Sequence, residues 1–143
     1  MDLKRNQERA IELFSFAPMK QTFEMDLSYN EQGDAVFRMP YNQKFNHAFG
    51  GIHGGVLATL LDNAGWFSAS IHYDTWISTI DLQIQYLKAI KKSDLKCIGK
   101  CVKAGKSIAF SQMELYGPNN IFVAKGAATF SISNQPIDRH ELT

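Results

Sequence analysis

Read as blocks of polar and apolar positions, the chain changes its period twice. From residue 3 to 17, Leu3, Ala10, Ile11, Leu13, Phe14 and Phe16 stand among charges at a spacing close to one helical face, and Ala17-Pro18 closes the pattern. An amphipathic helix over 3–17 is predicted. Thr22 to Ser28 and Ala35 to Met39 are strand-like runs flanking Tyr29-Asn30-Glu31-Gln32-Gly33-Asp34, a cluster of turn formers, and together they predict a hairpin. Residues 41–51 read as a loop. From Val56 to about Ile71 the chain is apolar almost all round, which for a helix means burial on every side.

After His72-Tyr73-Asp74 the period of two returns. Trp76, Ile80, Leu82, Ile84 and Tyr86 share one face, with Ser78 the exception, while Thr79, Asp81, Gln83 and Gln85 form a wet face. Further strands are predicted at 95–104, 108–116 and 121–133, separated by Lys103-Ala104-Gly105-Lys106 and Gly117-Pro118-Asn119-Asn120. The polar tail from Asn134 is expected to fray. A hairpin, one long buried helix and a meander of four strands imply an α+β domain in which an antiparallel sheet curls around a central helix.

With 143 residues and 45% hydrophobic composition, the chain suits one sizeable core and is short for two. Fifteen basic against fourteen acidic residues leave a net charge of +1, so no global field recruits nucleic acid or an anionic membrane. No run approaches the roughly 18 apolar residues of a membrane span, and the first residues lack the apolar stretch of a signal peptide. A cytoplasmic protein is expected. Cys97 and Cys101 fall in one predicted strand, about 13 Å apart, which is beyond disulfide reach. Free thiols are predicted, and no metal site.

The candidate chemistry lies between Asn46 and Ala64, where a glycine-rich turn runs into the apolar helix. Gly54-Gly55 at the helix start presents unpaired N–H groups and the positive end of the macrodipole, an arrangement able to hold an oxyanion. Asp62 sits among Leu60, Leu61 and Ala64, where a carboxylate is costly to bury without compensation. It is a candidate catalytic group or a carboxylate satisfied by a neighbouring backbone group. His53 suits orienting the loop better than moving a proton, and His72 and His140 read as ordinary surface residues. Trp66, one turn beyond Asp62, together with Phe67 and Phe49, either shapes an apolar pocket or belongs to the core. Two lysine groups, Lys88, Lys91, Lys92 and Lys100, Lys103, Lys106, can meet phosphates or stay solvated.

Gly54 and Asp62 are eight residues apart, about 12 Å along a straight helix, so they cannot both reach one carbonyl carbon. A second subunit with its helix antiparallel would set Gly54 of one chain against Asp62 of the other. This predicts a symmetric dimer with two sites.

His53-Gly54-Gly55, Asp62 nine residues after the histidine, the strand Thr79-Ile80-Asp81-Leu82-Gln83-Ile84-Gln85-Tyr86-Leu87 and the later Ala104-Gly105-Lys106-Ser107-Ile108-Ala109-Phe110 together resemble hotdog-fold acyl-CoA thioesterases of the phenylacetyl-CoA thioesterase type. The resemblance spans roughly residues 20–133. It implies hydrolysis of an acyl-CoA without any cofactor beyond the coenzyme A of the substrate. It also implies a dimer or pair of dimers. On this pattern Asp62 is general base or nucleophile, the Gly54 N–H polarises the thioester carbonyl, and Thr79 orients the water. His53, Gly55 and Trp66 join the substrate-binding set, and Lys88 or Lys106 is the coenzyme A contact. The pattern departs in one place. The family has an asparagine six residues before the histidine, where this chain has His47, with Asn46 one place earlier; either can take that role. The rival readings are a hotdog dehydratase or hydratase, which would pair a histidine with a carboxylate, and a non-catalytic acyl-CoA binding module.

Overall fold

The computed structural model describes residues 1–137. Asp2 caps helix α1 (Leu3–Ser15) by accepting the Arg5 N–H at 3.1 Å. Asn6, Ala10 and Phe14, each four residues from the next, form its buried stripe, whereas Leu3 and Ile11 stay exposed. Pro18 does not simply end this helix, as the sequence pattern implied. It opens a second one, α2 (Pro18–Phe23), because proline at a first helical position has no N–H to waste and a suitable φ. The first strand is shortened accordingly and runs Asp26–Tyr29 rather than from Thr22.

Six strands follow: β1 (Asp26–Tyr29), β2 (Ala35–Met39), β3 (Thr75–Tyr86), β4 (Leu95–Ala104), β5 (Ile108–Tyr116) and β6 (Phe122–Pro136). They form one antiparallel sheet in the order β1-β2-β4-β5-β6-β3, around the central helix α3 (Gly54–Ser70). This is the hotdog architecture. The 12-residue strand β3 lies at one edge, hydrogen-bonded on one side only. Strand β6 runs on to Pro136, which pairs with Thr75, so the strand continues past Asn134, where fraying was expected; the tail from residue 138 lies outside the described residues.

Strand β3 corrects the predicted faces. Thr79 pairs with Phe130 and Asp81 with Thr129, which leaves Ile80 as a bulge. Inward positions are odd before it, at Ile77 and Thr79, and even after it, at Leu82 and Ile84. Ile80 is therefore 58% exposed, and Thr79 turns towards α3 instead of joining the wet face. A one-residue insertion is invisible to a period-two reading.

Strand β4 and helix α3 approach closely at Gly99. A Cβ there would lie 2.0 Å from the Ala64 carbonyl oxygen, so β4 and α3 meet backbone to backbone. One turn on, the buried Ser68 and Ser111 hydroxyls donate to the Gly65 carbonyl at 2.7 and 3.0 Å and fix the register of α3 against β5. Phe14 stands edge-on to Phe37 and Phe67, with ring centroids 5.1 and 5.4 Å apart, and roots α1 in the same core. Cys97 and Cys101 are free thiols, and burial pushes both upward from the ordinary thiol pKa. His72 is half-buried rather than a surface residue, and burial lowers its pKa; His140 lies outside the described residues.

Helix α3 is not buried on every side. Ala58, Thr59, Asp62, Asn63 and Trp66 stay half-buried along one stripe, because the corner between α1 and α2 stands off and leaves a cavity of about 690 Å³. Among the described residues no helix is long and apolar enough to cross a membrane.

Candidate active site

The site is assembled from the start of α3, the middle of that helix and the bulged part of β3. His53 is the N-cap of α3, and its Nδ1 accepts the Gly55 N–H at 2.8 Å. That nitrogen is an acceptor, so the ring hydrogen of the neutral imidazole sits on Nε2. The Gly55 donor is thereby used. The Gly54 N–H makes no hydrogen bond among the described residues and sits at the positive end of α3. Tyr86, at the far end of β3, donates its hydroxyl to the Gly54 carbonyl at 2.7 Å and lays its ring against Gly54. Nothing in the sequence pattern singled out Tyr86. Its signals were a place on an alternating strand and in the stretch from Thr79 to Leu87, and neither tells which helix residue lies opposite.

Two turns along, the Asp62 Oδ1 accepts the Thr79 hydroxyl at 2.9 Å, while Oδ2 makes no hydrogen bond among the described residues. The bulge at Ile80 is what allows this contact, since it puts Thr79 on the helix side of β3. A hydroxyl that donates its one proton to a carboxylate keeps two lone pairs for a water. Asp62 stands on the wall of the apolar cavity and is, among the described residues, its single ionisable lining group. Trp66 and Phe67 also line the cavity, and the Trp66 indole donates to the Ile77 carbonyl at 2.8 Å. Phe49 does not line it. It is 89% exposed at the tip of the loop, because Gly50 and Gly51 turn the chain back on itself there.

The loop before α3 separates the two residues left open by the sequence. His47 folds onto its own turn, with Nδ1 accepting the Phe49 N–H at 3.1 Å. Asn46 donates to the Tyr41 hydroxyl at 2.9 Å and keeps a buried Oδ1 with no partner. The Asn46 Oδ1 is thus buried without a partner, whereas the His47 ring is exposed and keeps its Nε2 without a hydrogen bond among the described residues. Lys88 and Lys106 are both exposed but stand at opposite ends of α3. Lys88 follows Tyr86 beside Gly54; Lys106 follows Gly105, whose carbonyl accepts the Tyr73 hydroxyl just beyond the other helix end. Among the described residues no three His, Cys, Asp or Glu side chains converge as a metal-ligand set.

A helix start with a free N–H, a carboxylate hydrogen-bonded to a hydroxyl and an apolar cavity thus lie along one helix. A sequence model of the thioesterase superfamily matches residues 49–121, just over half of the chain, and the chain belongs to that superfamily. It is a thioester hydrolase. A Saccharolobus solfataricus protein with a provisional esterase name is 26% identical over 103 residues, 71% of this chain and 74% of its own length. The medium/long-chain acyl-CoA thioesterase YigI of Salmonella typhimurium is 26% identical over 96 residues, 57% of this chain and 62% of that protein. Among solved structures, the E. coli PaaI protein from the phenylacetic acid degradation operon superposes with a TM-score of 0.86 at 16% identity, over 94% of this chain and 98% of its own. At that identity the last similarity concerns the fold.

Proposed function

We propose that the chain hydrolyses acyl-CoA thioesters, with Asp62 of one protomer and the Gly54 N–H of its partner acting on one carbonyl. The observation that carries this reading is the Asp62 carboxylate, held by Thr79 at the wall of an apolar cavity. The free Oδ2 either attacks the thioester carbon or takes a proton from a water lodged against Thr79. The developing oxyanion leans on the Gly54 N–H, which is already fixed by Tyr86. Asn46 rather than His47 supplies the further polar contact, since its unpartnered Oδ1 is buried whereas the His47 ring is exposed. The name of YigI supports coenzyme A as the leaving thiol, and the lysine beside Gly54, Lys88, is the nearer candidate for its phosphates.

The dimer follows from distance. Gly54 and Asp62 lie about 12 Å apart on one straight helix. The open edge of β3, with Ile80 58% and Tyr86 51% exposed, supports pairing with a second copy. Light scattering on the eluting peak is expected to give twice the chain mass or a multiple of it; a monomer that is fully active would overturn the shared site. The reaction itself is tested by measuring free thiol released from a panel of acyl-CoAs, alongside the enoyl absorbance. Thiol release without an enoyl change is the expected result. A change in enoyl absorbance alone would transfer the site to hydration chemistry, and binding without either signal to a non-catalytic module.

The oxyanion donor can be removed by mutation here. Gly54 is the first residue of α3, a position proline favours, and His53 before it has φ −62° and ψ 136°, the extended backbone that a following proline requires. Gly54→Pro therefore deletes the N–H and keeps the helix. Gly54→Ala is the control, because its Cβ would meet the Tyr86 ring at 3.3 Å in the same way while the donor survives. The proline variant is expected to lose about 10² to 10³ in kcat relative to the alanine variant. Equal kcat in the two would remove Gly54 from the mechanism.

A further inference from the structure

The cavity beside Asp62 has a wall that the superfamily match does not reach. That match begins at residue 49, whereas Leu13, Phe16, Ala17, Pro18 and Met19 all line the cavity from the corner between α1 and α2. The corner is rigidly rooted on one side: Phe14 is 1% exposed and locked edge-on against Phe37 and Phe67. α1 is tied further down as well, by Asn6 donating to the Ile71 carbonyl at 2.7 Å and by Arg9 paired with Asp74 at 2.8 Å. On the other side α2 buries no residue, and Phe16, two positions past the anchor, is 53% exposed at the cavity. Met19 reaches across to α3, where its sulfur accepts the Asn63 amide at 3.9 Å, one residue from Asp62. A fixed backbone thus holds two large apolar side chains against a cavity with no cationic lining group among the described residues.

We propose that Phe16 and Met19 measure the acyl chain: they close the cavity that begins at Asp62, so their bulk sets the longest neutral acyl group turned over. This rests on the reading of Asp62 as the group that acts on the thioester. The site selects apolar acyl groups and rejects those ending in a carboxylate. An acyl anion would find no counter-charge there and would face Asp62 itself. The cavity volume of about 690 Å³ lies in the range that encloses a ligand of this size.

The test uses the full chain and kcat/KM for straight-chain acyl-CoAs from acetyl to hexadecanoyl, with succinyl-CoA compared with butyryl-CoA. Phe16→Ala and Met19→Ala are expected to raise kcat/KM for acyl chains beyond the wild-type cut-off by about tenfold or more, with short chains unchanged. That magnitude is the lower end of what a methylene or two is worth in an apolar pocket. Phe16→Trp should move the cut-off to shorter chains, and Asp62→Asn is measured alongside. Circular dichroism melts separate a folding defect from a specificity change. A cut-off that stays put in every folded variant, or a kcat/KM that falls equally for all chain lengths, overturns the proposal and leaves Asp62 in place. A shifted cut-off with full activity in Asp62→Asn overturns the reading of Asp62 and keeps the corner. Wild-type protein that releases thiol from no acyl-CoA overturns both.

Discussion

Asp62→Asn is expected to lower kcat on every acyl-CoA the protein accepts by about 10² to 10⁴, the span of a positioned general base, and by more if the carboxylate is the nucleophile. The amide keeps the size of the carboxylate, and its oxygen can still accept the Thr79 hydroxyl that Oδ1 accepts at 2.9 Å. The fold and dimer should therefore persist with KM little changed, because the loss is of an interaction made in the transition state. Label found in the Asp62 carboxylate after one turnover in water enriched in heavy oxygen identifies a nucleophile. A base delivers the label to the released acid. A nucleophile forms an anhydride with the acyl group, expels the thiol, and leaves the label in the Asp62 carboxylate or the acid, depending on which carbonyl the water attacks. Activity of the asparagine variant within tenfold of wild type would remove Asp62 from the chemistry.

The largest effect on stability is expected at Gly99. In Gly99→Ala the new Cβ would sit 2.0 Å from the Ala64 carbonyl oxygen and 2.3 Å from its carbon. Both obstacles are backbone, so relief requires β4 and α3 to separate, and α3 carries Asp62. A cost of about 3 kcal/mol or more follows for overpacking that no side chain can absorb, a large part of the roughly 5–15 kcal/mol available to a domain. Gly65→Ala is the comparison. Its Cβ would meet the Met113 sulfur at 2.8 Å, but a thioether can swing aside, and alanine favours the helix by about 1 kcal/mol. Thermal melts should place Gly99→Ala well below Gly65→Ala. Equal melting temperatures would mean that the contact at Ala64 is not the constraint described here.

What the sequence determined by itself was the part governed by local rules. Hydrophobic period placed the central helix and the later strands, because burial of one face must repeat along an element at the period of that element. The motif from His53 to Asp62 and the 1.5 Å rise of a helix were enough to set Gly54 and Asp62 about 12 Å apart, the distance on which the proposed second protomer rests. Periodicity could not tell which apolar positions of α3 face a void, since a half-buried stripe and a buried one carry the same residue types. Only the tertiary structure decided that the N-terminal helices stand away from Ala58, Asp62 and Trp66 and wall a cavity there. Only the pairing of β3 with β6 decided that Ile80 bulges and that Thr79 turns to Asp62, because a bulge depends on the partner strand and leaves no mark in its own. The reach of Tyr86 to Gly54 and the backbone contact of Gly99 with Ala64 have the same origin. They join residues 32 and 35 positions apart, and such pairings are set by how whole elements pack rather than by any local pattern.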